Sequence, residues 1–218
     1  MTSDTLPIYL LSGMTADYPV YSRLTPLLPN ATIINFIDPK PNESLTAYAE
    51  RMADRFPKQC YIAGVSFGGI LALEISRIVQ PAGCILISSV SSPNELPPWF
   101  RVWRSLGGRN CSRILNVIGN SAVLVPKSLR TSSTMRATKL SGAAGAWHRW
   151  ATSAVLDWNP AAEPISSLCL HIHGDADKTF PIQYTKPDII VPNGRHDLPI
   201  SHPVSTANAI HAFIKSVY

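Results

Sequence analysis

Residues Gly64-Val65-Ser66-Phe67-Gly68 hold the serine of this sequence whose neighbours best prepare a hydroxyl for chemistry. An apolar run at 60–65 precedes it and reads as a buried strand. A helix-competent run at 67–79 follows at once. A serine on so sharp a strand-to-helix turn sits in strained backbone, with its hydroxyl pushed clear of the sheet. Small residues are needed two positions to either side, because a Cβ there would collide across the turn. The N–H groups that open the following helix point at any negative charge developing beside that hydroxyl. Gly-x-Ser-x-Gly also makes ordinary turns; the strand before it and the helix after it give the pattern its weight.

Two more clusters of chemically capable residues follow apolar runs. One is His173-Gly174-Asp175-Ala176-Asp177, the other Gly194-Arg195-His196. The elements that must carry them alternate. Strands are predicted at 7–12, 32–37, 60–65, 84–88, 168–173 and 188–191. Helices are predicted at 20–28, 45–56 (with Ser44 as N-cap), 67–79 and 203–217. Continuous apolar strands alternating with helices call for a mostly parallel, six-stranded sheet covered on both faces. In such a sheet, functional groups gather just beyond the strand C-termini. Those ends offer Gly13-Met14, Ser66, Ser88-Ser89, Asp175 or Asp177, and His196.

Alternation breaks between 91 and 163, where no strand is evident. Residues 97–106, 113–118, 129–139 and 143–156 are helix candidates. The expected division is therefore a core of 1–92 and 162–218 with a helical insertion at 93–161. From Leu96 to Leu156 there is no Asp or Glu, against Arg101, Arg104, Arg109, Arg113, Lys127, Arg130, Arg136, Lys139 and Arg149. The net charge of +5 thus hides a basic insert on an acidic body. Such an insert attracts an anionic substrate, an acidic surface or an acidic partner, or is only a solvated face. No nucleic-acid-binding motif accompanies the charge, so nucleic acid is not expected as a partner.

The 218 residues, 45% hydrophobic and 15% charged, suit one globular α/β domain with an insertion. No apolar run is long enough for a bilayer span, and the first residues lack the basic start of a signal peptide, so a cytoplasmic protein is expected. Cys60, Cys84 and Cys169 lie in apolar runs and read as buried small hydrophobes; Cys111 stands in a polar segment. No metal-ligand spacing occurs, and no metal or cofactor is expected. Nothing in the sequence sets an oligomeric state.

Serine, acid and histidine in that chain order resemble the α/β-hydrolase superfamily, over nearly the whole chain. The resemblance rests on the glycine-flanked Ser66, on the His173–Asp177 cluster, on Gly194-Arg195-His196 and on the helical insert, which stands where the family carries its lid. It implies Ser66 as nucleophile and His196 as general base, then acid. Asp177 would hold the imidazole tautomer and stabilise its charged form. The backbone N–H groups of Phe67 and Met14 would form the oxyanion hole. Asp175 competes with Asp177, since either can cap the turn, and the family spacing favours Asp177. His202 competes with His196, although it stands at a helix start. His171 and His173 share one strand face and read as structural; His148 and His211 read as surface or packing residues. The segment 178–187, with Pro181 and Pro187, leaves little room for the helix that the family usually places there. Arg195 either perturbs the neighbouring imidazole or points away.

Tryptophans cluster in the insert. Trp99 and Trp103, and Trp147 and Trp150, fall at helical spacing, so each pair shares a face. They either pack the insert onto the core or line an apolar substrate pocket. The activity implied is hydrolysis of an ester or thioester of a small or medium acyl group. A non-catalytic ligand-binding member of the fold, or another reaction on the same residues (C–C bond hydrolysis, cofactor-free peroxidation), stands as the alternative.

Overall fold

The computed structural model describes residues 6–14, 19–105, 143–160 and 167–217. Its strands are β1 (Ile8–Leu11), β2 (Ala31–Ile34), β3 (Tyr61–Val65), β4 (Gly83–Ile87), β5 (Leu168–Gly174) and β6 (Ile189–Val191). They form one sheet in the order β2-β1-β3-β4-β5-β6, and every neighbouring pair is parallel. The helices are α1 (Leu45–Ala53), α2 (Phe67–Val79), α3 (Pro98–Ser105), α4 (Ala143–Leu156), α5 (Leu198–Ser201) and α6 (Pro203–Ser216).

Period-two alternation along the strands splits the core in two. Leu11, Ile62, Cys84 and Leu86 face α1, α2 and α4, packing with Tyr48, Met52, Ile70 and Trp158. Leu10, Tyr61, Ala63, Ile85 and Ile172 face the other way, onto Tyr21, Leu24, Ala207, Ile210 and Ile214. Both faces of β3 and β4 are therefore buried, which is why these strands read as unbroken apolar runs. Among the described residues no helix is long and apolar enough to cross a membrane.

Three expectations need correction. Residues 20–28 form turns and a short 3-10 stretch, Thr25–Leu27, in place of an α-helix. Pro26 lacks the N–H that a helix interior would need there. The segment is anchored by Tyr21, fully buried, whose hydroxyl donates to the Leu11 carbonyl at 2.8 Å. The second strand ends at Ile34 rather than at residue 37. Beyond it the Tyr48 hydroxyl donates to the Ile37 carbonyl at 2.8 Å and accepts from the Ile37 N–H at 3.0 Å, replacing the sheet ladder. Cys169 is exposed: β6 pairs with β5 only from Ile172 onward, so the first residues of β5 stand at the edge of the sheet.

Between β4 and β5 the described parts of the insertion are the 3-10 turn Pro93–Glu95 and the helices α3 and α4. The helices expected at 113–118 and 129–139 lie outside the described residues. Between β5 and β6 only the 3-10 turn Ile182–Tyr184 occurs, as the two prolines there foretell.

Candidate active site

Ser66 follows the last residue of β3 and precedes the first residue of α2. Its backbone lies at φ 56° and ψ −121°, a left-side conformation that costs a non-glycine residue about 1–3 kcal/mol. The flanking glycines make this turn possible. A Cβ on Gly64 would collide with the Gly68 carbonyl, and one on Gly68 would collide with the Leu11 carbonyl of the neighbouring strand. The Ser66 N–H donates to the Ile87 carbonyl at 3.0 Å, and the Ser89 hydroxyl donates to the Ser66 carbonyl at 2.7 Å. The N–H and the carbonyl of the strained residue are thus tied to the end of β4 and to the loop after it, leaving its own hydroxyl outside the helix cap.

The acid and histidine loops meet at a second close approach. A Cβ on Gly174 would collide with the Gly194 carbonyl, so the ends of β5 and β6 touch backbone to backbone. The Ala176 N–H donates to the Gly194 carbonyl at 2.9 Å and locks the contact. Asp177, 4% exposed, thereby comes under His196. His196 Nδ1 lies 2.8 Å from Asp177 Oδ2, and its Nε2 lies 2.9 Å from Ser66 Oγ. A carboxylate oxygen only accepts, so the proton sits on Nδ1, and Nε2 presents its lone pair to the serine hydroxyl. The other carboxylate oxygen, Oδ1, accepts from the Thr179 N–H at 2.7 Å and the Phe180 N–H at 3.0 Å. The Phe180 ring packs edge-on to His196 at 5.6 Å.

The structure separates the competing residues. Asp175 is exposed. His202 pairs with the Ser201 hydroxyl at 3.0 Å and is the residue immediately before α6. His211, within α6, reaches the Leu27 carbonyl at 3.1 Å. Arg195 is exposed.

Phe67 and Met14 flank the serine. Phe67 opens α2, so its N–H has no acceptor within the helix. Gly13, next to Met14, lies so near that a Cβ on it would be 3.6 Å from Ser66 Cβ. Trp147, on α4, donates its indole N–H to the Met14 carbonyl at 3.1 Å. Its ring stacks on Phe36 at 4.6 Å and meets Phe67 edge-on at 5.8 Å. Trp150 donates to the Glu43 carbonyl at 2.9 Å and lies 4.3 Å from the Tyr48 ring. Both indoles thus fasten α4 to the core. Trp99 is 41% exposed and touches Tyr184, whereas the side chain of Trp103 lies outside the described residues. Trp158 is buried and donates to Glu74 at 3.1 Å. Phe36 and Tyr48 escaped the sequence reading: they are remote in the chain, and no motif marks them.

His171 and His173 are buried, but they do more than fill space. His173 Nε2 lies 2.8 Å from the Phe180 carbonyl and 3.4 Å from Asp177 Oδ2. His173 Nδ1 lies 3.2 Å from His171 Nε2, which is also 3.0 Å from the Ser89 carbonyl. Burial, and then the neighbouring imidazole, push His171 down to about 4; burial likewise lowers His173. Both rings are neutral at pH 7. The signal in the sequence was their shared strand face just ahead of the acid.

Residues 8–209 match the model of the Alpha/beta hydrolase family. No curated protein matches the sequence significantly. Among solved structures, MenH from S. aureus aligns over 100% of this chain and 96% of its own, at 16% identity and a TM-score of 0.64. A thermophilic esterase from Thermogutta terrifontis aligns over 97% and 90%, at 15% identity and a TM-score of 0.60. The enol-lactonase from Burkholderia xenovorans LB400 aligns over 96% and 92%, at 13% identity and a TM-score of 0.60. At such identities the likeness is one of fold. The family match runs from the first strand into the last helix, and the six-stranded parallel sheet agrees with it: this chain belongs to the alpha/beta hydrolase family.

Proposed function

We propose that this protein is a serine hydrolase that cleaves an ester or thioester of a small or medium acyl group through an acyl-enzyme. The single observation that carries the reading is the unbroken line from Asp177 Oδ2 through His196 to Ser66 Oγ, at 2.8 and 2.9 Å. Ser66 attacks the acyl carbon while its proton passes to His196 Nε2. Asp177 stabilises the resulting imidazolium. The negative charge on the acyl oxygen is taken by the N–H groups of Phe67 and Met14, a contribution of about 3 kcal/mol for each donor in comparable sites. His196 then protonates the leaving alkoxide or thiolate. Water, deprotonated by the same imidazole, attacks the acyl-enzyme and frees the acid and Ser66. The reaction so written needs no cofactor.

The helices between β4 and β5 act in this reading as a lid, and Phe36, Phe67 and Trp147 form the apolar wall beside Met14. A fluorophosphonate probe is expected to label the protein at Ser66. Ser66→Ala is expected to abolish labelling and to lower kcat on p-nitrophenyl acetate by at least about 10⁴-fold, with the melting temperature preserved. A wild-type protein that stays unlabelled at high probe concentration would overturn the reading.

The basic insert supports a preference for anionic acyl substrates. Of its nine cations, Arg149 is described and exposed, while the side chains of the rest lie outside the described residues. At low salt, esters bearing a carboxylate should be cleaved several-fold faster than neutral ones, and the advantage should shrink by about 0.15 M salt, where the Debye length is ~8 Å. Equal rates at low salt would remove this preference.

A further inference from the structure

We propose that His173, held in one tautomer by His171, is a positioning residue that clamps the Asp177 carboxylate onto His196. The geometry of the clamp stands by itself; only its kinetic consequence rests on the serine-hydrolase reading.

The hydrogens can be placed by elimination. A carbonyl oxygen only accepts, so His173 Nε2, 2.8 Å from the Phe180 carbonyl, carries its proton. The same nitrogen lies 3.4 Å from Asp177 Oδ2, the oxygen that receives His196. His173 Nδ1 is therefore bare and accepts from His171 Nε2–H at 3.2 Å, a proton shared with the Ser89 carbonyl at 3.0 Å. His171 Nδ1 is left buried with no hydrogen-bond partner among the described residues. A bare nitrogen is tolerated there at modest cost, but an added N–H would place a charge with no acceptor beside it. Every imidazole proton in this pair consequently points along the chain toward the acid.

Two features make this a clamp rather than a buried filler. Phe180 is gripped twice: its carbonyl takes the His173 proton, and its N–H donates to Asp177 Oδ1 at 3.0 Å. His173 therefore pins the turn whose backbone holds the carboxylate. The path also closes on itself. From His171 it runs to the Ser89 carbonyl, and the Ser89 hydroxyl donates to the Ser66 carbonyl at 2.7 Å. The acid and the serine are thus braced against one buried polar ring. The charged or titratable groups facing the pair are Asp177 and His196 at one end and Glu95 and Asp188 at the other. Asp188 accepts from the His171 backbone N–H at 2.7 Å, and Glu95 is occupied by the Ser91 backbone N–H at 2.7 Å.

The test compares His173→Gln with His173→Asn. A glutamine amide reaches the place of Nε2 and keeps a donor for Phe180 and Asp177; an asparagine amide reaches only the place of Nδ1. The first readout is the downfield proton resonance of His196 Nδ1–H in the resting protein at neutral pH. It should persist in the wild type and in His173→Gln, and broaden away by exchange in His173→Asn. The second is turnover of p-nitrophenyl acetate: kcat should fall about tenfold in His173→Asn and no more than about threefold in His173→Gln, with KM unchanged in both. An unchanged resonance in His173→Asn with kcat within about twofold of wild type would overturn the proposal. Loss of the resonance in both variants would overturn it equally, since shape and not the donor would then matter. If the wild type neither turns over the ester nor labels at Ser66, the hydrolase reading fails, and the resonance still decides the clamp.

Discussion

On the β1–β2 side of Ser66 the neighbours are rings: Phe36, Tyr48, Phe67, Trp147 and Trp150 meet one another face and edge. On the β5–β6 side they are a carboxylate and three imidazoles: Asp177, His196, His173 and His171. The first wall is held by apolar burial and ring contacts, each pair contributing about 0.5–1.5 kcal/mol beyond its area, with two indole N–H bonds setting its orientation. The second is held by hydrogen bonds whose donors and acceptors must occur in one order. An aromatic wall tolerates a change of ring; a directional polar wall does not tolerate the loss of a donor, because a buried partner is then stranded. In the proposed reaction the two walls would divide two tasks, receiving an apolar group and moving a proton.

The largest effect that would sharpen this contrast is on the polar side. Asp177→Asn keeps the shape and can still accept from Thr179 and Phe180, yet it offers His196 a neutral group and favours the wrong tautomer. A loss of kcat of roughly 10³–10⁴-fold is expected on p-nitrophenyl acetate. A loss under about tenfold would mean that the polar wall is not organised around that carboxylate.

The next effect is on stability. In the folded chain His171 is pushed down to about 4, from roughly 6.5 when unfolded. Between these values the unfolded chain binds the additional proton, so folding stability rises with pH across this window. The contribution is nearly complete above pH 6.5 and is lost as pH falls through 4. From pH 7 to 5 the loss is about 2 kcal/mol from this group. Denaturant titrations of wild type and His171→Gln at the two pH values measure it: the variant should lose correspondingly less. Parallel losses would show that the buried imidazole does not titrate as its surroundings dictate.

The smallest effect is on the aromatic side. Trp147→Phe keeps a ring against Phe36 and Phe67 but deletes the N–H that holds the Met14 carbonyl. About 1 kcal/mol of stability should go, with a several-fold fall in kcat as the Met14 loop loosens. A fall as deep as that of Asp177→Asn would erase the distinction between the walls.

Much of this arrangement was visible along the chain. The turn at Ser66 was legible because its requirements are local: two glycines within two residues, a strand before and a helix after. The parallel sheet was legible because strands buried on both faces leave unbroken apolar runs. The stretch at 20–28 has helical spacing, but Pro26 and the buried hydroxyl of Tyr21 favour a tighter turn. The second strand was drawn too long because Phe36 and Ile37 have strand-like side chains. Their backbone is instead satisfied by Tyr48, which the local sequence does not announce. His171 and His173 could be placed on one buried face, but their connection to Asp177 runs through the Phe180 carbonyl, a backbone atom that no side-chain pattern reveals.

By itself, the amino-acid sequence determined the six strands, their order and the strained serine turn, because each of these follows from neighbours a few positions apart. Only the tertiary structure decided which acid and which histidine face that serine. Asp175 and Asp177, or His196 and His202, differ little in local pattern. What separates them is the backbone contact between Gly174 and Gly194, which draws two loops together at the rim of the sheet and leaves the alternatives outside. The direction of the buried imidazole protons was decided there too, because it depends on backbone carbonyls of Ser89 and Phe180, the first of them 82 residues from the ring it receives.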